Sequence, residues 1–401
     1  MSIFELHLDQ IDASVLTSLV SNAVREDRQL DYKEKLPGMK DEEKREFLSD
    51  VASFGNALGG DILYGIRERR DTEGKPTGEP DAIIGLPELN VDAERLRLES
   101  LIRDGIAPRV PQVGFTKVPQ STGPSCLLLR IPQSWVGPHM VTFRNDSRFY
   151  SRSSAGKYQL DIRQIRAGFL AAEATHERVR SFRSERISRI VAQDSPVLIG
   201  DGAKLVFHAV PLTDDTGAWH RFLSIRDDTA RAYPLFPTTS GGSFGWRFNL
   251  DGFVVHTTSG NPSRESYTQM FRNGGIEIVR CGLIEPDPQY GGFFGINMER
   301  EIIQALKRLN RFWRQIAVEP PLVLGLTLYG VRNQKILVYP NPSFGPAGTF
   351  SREVVVVPDV VVDDLSNEAD ALLHPLFNYV WNGGGWEESP NYREGRWRDT
   401  P

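Results

Sequence analysis

The 401-residue chain has only two cysteines, Cys126 and Cys281. Two thiols cannot build a disulfide framework, and each sits in an apolar, strand-like run where a reduced cysteine packs as core. No apolar run reaches the length needed to span a bilayer. The start, MSIFELHLDQID, lacks the basic and apolar regions of a secretory leader. The expected location is the cytoplasm, with no membrane partner. There is no GxxxxGK(S/T) stretch, which weighs against a P-loop nucleotide site. Without HExxH, CxxC or any paired His/Cys cluster, a zinc site is not expected, and no GxSxG elbow is present. Neither sign of charge dominates: 47 Lys and Arg face 52 Asp and Glu, a net charge of −5. That balance excludes a uniformly basic coat but not a local basic track.

What is present is an ordinary globular composition, 40% hydrophobic and 25% charged, over a length that suits two or three domains. Leu16, Leu19, Val20 and Val24 form one stripe behind Asp12, so residues 12–24 read as a helix. LDYKEK alternates Leu30 and Tyr32 against Asp31, Lys33 and Lys35, as on a half-buried strand. The acidic DEEKRE stretch opens a second helix carrying Phe47, Leu48, Val51, Ala52 and Leu58 inward, ending at Gly59-Gly60. DILYGI reads as a buried strand, RRDTEGKPTGEPD as a polar loop, residues 91–104 as a helix, and SCLLLRIP and RFYSRS as strands. Residues 174–192 read as a connecting helix. Beyond it, KLVFHAV, a hairpin turning on Asp251-Gly252 in type I′ form, LVLGLTLYGV, KILVYP and REVVVVPDVVV are strands. Ile302, Leu306, Leu309, Trp313 and Ile316 mark one long helix among them. GGSFG (241–245) and GGFFG (291–295) read as turns, and the aperiodic tail from Gly383 as a surface segment.

The fold class is α+β, in two parts. Residues 1–172 form a mixed α/β domain, 173–195 an arginine-rich connecting helix, and 196–401 a strand-rich α+β domain without recognisable chemistry. The second domain is expected to dimerise or to bind a partner protein.

The chemistry concentrates near the N-terminus. Glu26 and Asp31 lie five residues apart, Lys33 shares the strand's polar face with Asp31, and Glu68 follows the DILYGI strand. Asp61 and Asp71 compete with Glu68 for the role of third acid. Three oxygen donors gathered by a sheet suit Mg²⁺ or Mn²⁺, hard cations that prefer carboxylates, and Lys33 would bind a phosphate. The same acids could equally be solvated surface charge.

The stretch REDRQLDYKEKLP (25–37), followed by EFLSDVASFGNALGGDILYGI (46–66), resembles the Schlafen-type, Alba-like domain. The likeness continues through IIGL (83–86), IAPR (106–109), LLRIPQS (128–134), Pro138-His139 and RFYSRSSAGKY (148–158), covering about residues 20–170. Bacterial proteins with this domain are often labelled DNA-binding or ATP-binding. Others of the family are metal-dependent endonucleases on structured RNA, tRNA and rRNA included, with roles in antiviral defence. The resemblance implies Glu26, Asp31 and Glu68 as catalytic and metal-holding acids, with Lys33 beside them. In the family the second acid is usually Glu and the third usually Asp; here they are Asp31 and Glu68, and Arg67 replaces an acid. Each exchange shifts the oxygens by about one bond length, which leaves a non-catalytic binding member as the alternative reading and a nucleotide-binding protein as the third.

A nucleic-acid surface is expected at the end of this domain. Residues 143–190 hold eleven basic and five acidic side chains, a local charge of 11 − 5 = +6. Phe143, Phe149, Tyr150 and Tyr158 interleave with the cations, as phosphate contact and base stacking require. The expected contacts are Arg144, Arg148, Arg152, Lys157, Arg180, Arg183 and Arg186, with RNA favoured over DNA. The three-residue spacing of Arg180, Arg183, Arg186 and Arg189 puts them along one side of a helix.

Overall fold

The structure is a computed structural model that describes all residues except 1, 2, 4, 5, 7, 88, 111, 112, 122, 135, 155, 213–216, 238–242, 259, 262–264, 344, 346, 347, 400 and 401. The chain is α+β and forms two compact units, Met1–Thr175 and His176–Pro401. Among the described residues, no helix is long and apolar enough to cross a membrane. Both cysteines are free and buried.

In the first unit, α1 (Ala13–Ser21) begins at Asp12, whose carboxylate accepts from the Ser14 and Val15 N–H groups, as an N-cap does. Strand β1 (Leu30–Lys33) follows. Helix α2 (Asp41–Gly55) carries Asp41, Glu42 and Glu43 in its first turn, where the helix dipole favours negative charge. Its Phe47, Leu48, Val51, Ala52 and Phe54 are buried. Leu58, expected inward with them, is exposed, because the helix has already ended at Gly55. Strand β2 (Gly60–Tyr64) runs parallel to β1.

The segment expected to be a polar loop is a hairpin, β3 (Ile66–Arg70) with β4 (Pro76–Ile83). Its strands are largely polar and the ladder shifts register twice between Arg67 and Arg70, so no alternation survives in the sequence. Helix α3 (Val91–Gly105), then β5 (Ile106–Ala107), β6 (Gly114–Val118) and β7 (Cys126–Ile131), complete the main sheet, whose order is β1-β2-β7-β6. Strands β8 (Met140–Val141), β9 (Arg148–Ser153) and β10 (Gly156–Gln159) join β5 in a second sheet.

The main sheet is buried on both faces. Leu30, Tyr32, Leu63, Cys126 and Leu128 pack with Leu16 and Leu19 of α1. Ile62, Tyr64, Leu127 and Leu129 pack with α2 and α3. Asp31 pairs in register with Ile62 and Lys33 with Tyr64, so the polar face of β1 points towards the α2 side rather than to water. Asp31 is 3% exposed, and the half-buried strand expected from alternation is instead covered on both sides.

Helix α4 (Ile162–Val191) continues into the second unit. There β11 (Lys204–Pro211), α5 (Gly217–Ser224) and α6 (Asp228–Ala232) precede β12 (Phe244–Phe248), β13 (Gly252–Thr257), β14 (Tyr267–Phe271) and β15 (Ile276–Cys281). Next come β16 (Gly292–Phe294), α7 (Gly295–Gln315), β17 (Leu322–Tyr329), β18 (Lys335–Leu337), β19 (Val354–Val356), β20 (Val360–Val362) and α8 (Ala369–Gly383). An eight-stranded sheet runs β12-β13-β14-β15-β11-β17-β19, with β20 also on β17. One face packs on α7 through Ile302, Leu306, Leu309 and Trp313. The other meets the C-terminal part of α4 at Ile190, Val206, Tyr267 and Val279.

Two expectations change here. The β12–β13 hairpin reverses over Leu250-Asp251, closed by backbone bonds between Asn249 and Gly252. Neither central residue has positive φ, so the turn is not type I′. Gly252 is needed for a close approach, since a Cβ there would lie 2.2 Å from the Met270 carbonyl oxygen. The tail is not a loose surface segment. Ser389, Asn391 and Trp397 donate to the carboxylate of fully buried Glu299, on α7, as does Trp381. Of the GGSFG motif, Gly241 and Gly242 lie outside the described residues.

Candidate acid and lysine site

Three chain segments of the first unit meet at the β1 edge of the main sheet. Glu26 precedes β1; its N–H bonds the Gly78 carbonyl, and its carboxylate accepts from the Tyr32 N–H at 2.7 Å. Asp31 sits mid-strand. Glu68 lies where the β3–β4 ladder shifts register, a bulge that re-aims a side chain, and its carboxylate accepts from the Gly78 N–H. Glu26 and Asp31 share a hydrogen bond, Glu68 adds its field to Glu26, and Asp31 adds its field to Glu68. Burial, the bond to Asp31 and the nearby charges push Glu26 up to about 9, so it is neutral at pH 7 and donates. Burial alone would raise Asp31, but the proton from Glu26 together with Lys33 and Arg152 holds it below the ordinary aspartate value. Burial also raises Glu68.

Cations thread this cluster. Lys33 Nζ lies 3.2 Å from Asp31 and 3.8 Å from Asp50 of α2. Arg152 of β9 bonds Asp31 at 2.9 Å and stacks 4.2 Å from the Phe54 ring centroid. Lys157 of β10 bridges Glu46, Ser49 and Asp50 at 2.6 to 2.8 Å. Burial raises Asp50 against the pull of Lys33 and Lys157. Asp50, Ser49 and Glu46 were missed from sequence, although a charged residue inside the apolar stripe of α2 is a readable anomaly.

The competing acids fall elsewhere. Asp61 is locked to Arg130 at 2.7 Å on the opposite sheet face. Asp71 closes the β3–β4 turn by accepting from Glu73 and Lys75 N–H groups. Arg67 points to Asp81 at 3.1 Å on the exposed hairpin.

The oxygen-only donor set suits a hard divalent cation. As they stand, however, the acids are gathered without forming a coordination shell: among the described residues, no group of three His, Cys, Asp or Glu is arranged to hold a metal ion.

The expected basic track does not survive as one surface. Arg144 and Arg148 are exposed, each beside an aspartate, and Arg180 is exposed beside Glu177. Arg152 and Lys157 are bound into the acid cluster. Arg183 and Arg186 are buried at 4% exposure each, which corrects their assignment as nucleic-acid contacts. Arg183 pairs with Asp359, and Arg186 forks onto Glu277 at 2.8 and 2.9 Å. Three-residue spacing drifts around a helix: Arg183 and Arg186 share the buried face of α4 with Val179 and Ile190, while Arg180 and Arg189 are exposed.

Residues 26–161 match the family model described as Schlafen, AlbA_2. Solved structures that resemble part of the chain include the DIP2311 protein from Corynebacterium diphtheriae, 20% identical, with a TM-score of 0.24. That match covers 36% of this chain but only 26% of the DIP2311 chain. Another is the N-terminal domain of a RecG-related protein from Nitrosomonas europaea, 22% identical, covering 30% of this chain and 72% of that one, with a TM-score of 0.23. No curated protein matches the chain. The first unit therefore contains a segment of Schlafen, AlbA_2 type.

Proposed function

We propose that the first unit acts on nucleic acid, cleaving phosphodiesters of structured RNA of the tRNA or rRNA class at the Glu26–Asp31–Lys33–Glu68 cluster. The observation that carries this reading is the gathering of three acids from separate segments beside one lysine at a single sheet edge. Lys33 is placed to bind a phosphate. Mg²⁺ or Mn²⁺ belongs to the proposal: Glu26, Asp31 and Glu68 would hold it, and it would neutralise charge on the phosphate oxygens. Within the first unit, Arg144 and Arg148 are the exposed cations of the expected contact set that would meet the backbone.

Incubation of the purified protein with tRNA, single-stranded RNA and DNA, in Mn²⁺, Mg²⁺ or EDTA, tests it. Cleavage of tRNA that needs the metal and is lost in Asp31→Ala is expected. Cleavage that persists in EDTA or in that variant would sink the reading. A second reading, a non-catalytic nucleic-acid-binding regulator, is favoured by one specific observation. Asp31 is already engaged by Lys33 and Arg152, and binding without cleavage in every metal would promote it.

A further inference from the structure

Beside Lys33 the first unit has an open pocket of about 470 Å³, whose lining does not include Glu26 or Glu68. That volume is in the range of clefts that hold small organic ligands, about 300–1,000 Å³. Leu36, Pro37 and Phe47 give it apolar walls, Lys33 and Lys35 supply cations, and Glu42, Glu43, Glu46 and Asp50 of α2 supply carboxylates. Tyr64 also lines it. Its side chain is 3% exposed, yet its hydroxyl has no hydrogen-bond partner among the described residues. A tyrosine hydroxyl that lines a pocket and meets no protein partner is available to bond a polar group of a ligand. Glu42 is likewise without a partner among the described residues.

We infer that this pocket receives one unstacked nucleobase of the RNA, next to the phosphate held by Lys33, and selects bases that carry an amino group. The apolar walls match the flat, weakly hydrated base. Carboxylates accept from the amino groups of adenine, cytosine and guanine. Uracil has no amino group, and its single N3–H is flanked by two carbonyl oxygens that the carboxylates repel, so it is the poorest match. The lysines face the sugar-phosphate side, so the base is oriented with its hydrogen-bonding edge towards α2. This inference rests on the function proposed above and names the substrate feature that the site would read.

The test is calorimetric titration of the full chain with the four 5′-mononucleotides in EDTA, where no metal-dependent cleavage occurs. GMP, AMP and CMP are expected to bind about tenfold more tightly than UMP. Tyr64→Phe, which removes one oxygen, should weaken the preferred nucleotides about 3- to 10-fold, the worth of one hydrogen bond. Should that variant fail to fold, Glu42→Gln on the surface supplies the same reading by narrowing the gap to UMP. Four nucleotides bound alike, or variants bound like the parent and sensitive only to Lys33→Met, would overturn the base pocket. The two proposals fail separately. Base-selective binding with no cleavage in any metal removes the nuclease and leaves the pocket. Cleavage with no base preference removes the pocket and leaves the nuclease.

Discussion

Each unit buries carboxylates, and it treats them in opposite ways. In the second, Glu277 receives two bonds from Arg186, one from His208 Nε2 and one from the Tyr267 hydroxyl. Burial would raise it, but these donors hold it down at about 2. Its charge is fully met inside the fold. In the first, Glu26, Asp31 and Glu68 push on one another, and one of them stays protonated at neutral pH. A satisfied buried acid holds structure together; crowded acids near a lysine are in a state that a ligand can improve. The difference supports placing the proposed chemistry in the first unit.

The largest effect should come from breaking the satisfied network. Arg186→Ala leaves Glu277 buried without its main partner and should cost about 4 kcal/mol, read as loss of the second unit's transition in urea denaturation. An unchanged midpoint would erase the contrast. Acid offers a milder version. A glutamate that titrates at about 2 when folded and at its ordinary value when unfolded stabilises the fold above that ordinary value. It loses the contribution as pH falls towards 2, about 3 kcal/mol in all. Glu277→Gln should flatten that part of the stability–pH curve.

The crowded site should respond the other way. Because Glu26 is already neutral, Glu26→Gln should change stability by less than about 1 kcal/mol. The same substitution should cut RNA cleavage about 100-fold, so paired melting and cleavage assays separate the two roles. The smallest effect is expected at the rim. Arg144→Glu with Arg148→Glu should weaken RNA binding by about 1–2 kcal/mol and lower its salt dependence, measured by fluorescence anisotropy at several salt concentrations.

Much of the fold was legible where one face of an element is apolar. Helices α1, α2, α3 and α7 announce themselves by period, and Asp12 marks the start of the first. The β3–β4 hairpin was not legible, because its strands are polar on both sides and its ladder slips. The basic residues misled for a related reason. Spacing groups Arg183 with Arg186 but cannot say that Glu277 on β15 and Asp359 in the β19–β20 connection are their partners. At the site, resemblance picked out Glu26, Asp31, Lys33 and Glu68. Arg152 and Lys157 arrive from more than 100 residues away, a distance over which no local pattern carries information.

The anchoring of Glu299 by Ser389, Asn391 and Trp397 has a consequence for how the protein is made. Helix α7 is synthesised before any of the four donors, Trp381, Ser389, Asn391 and Trp397, and the apolar face beside Glu299 cannot close around an unpaired carboxyl group. The second unit must therefore complete its folding after residue 397 has left the ribosome, while the first unit, which ends at Thr175, is synthesised long before.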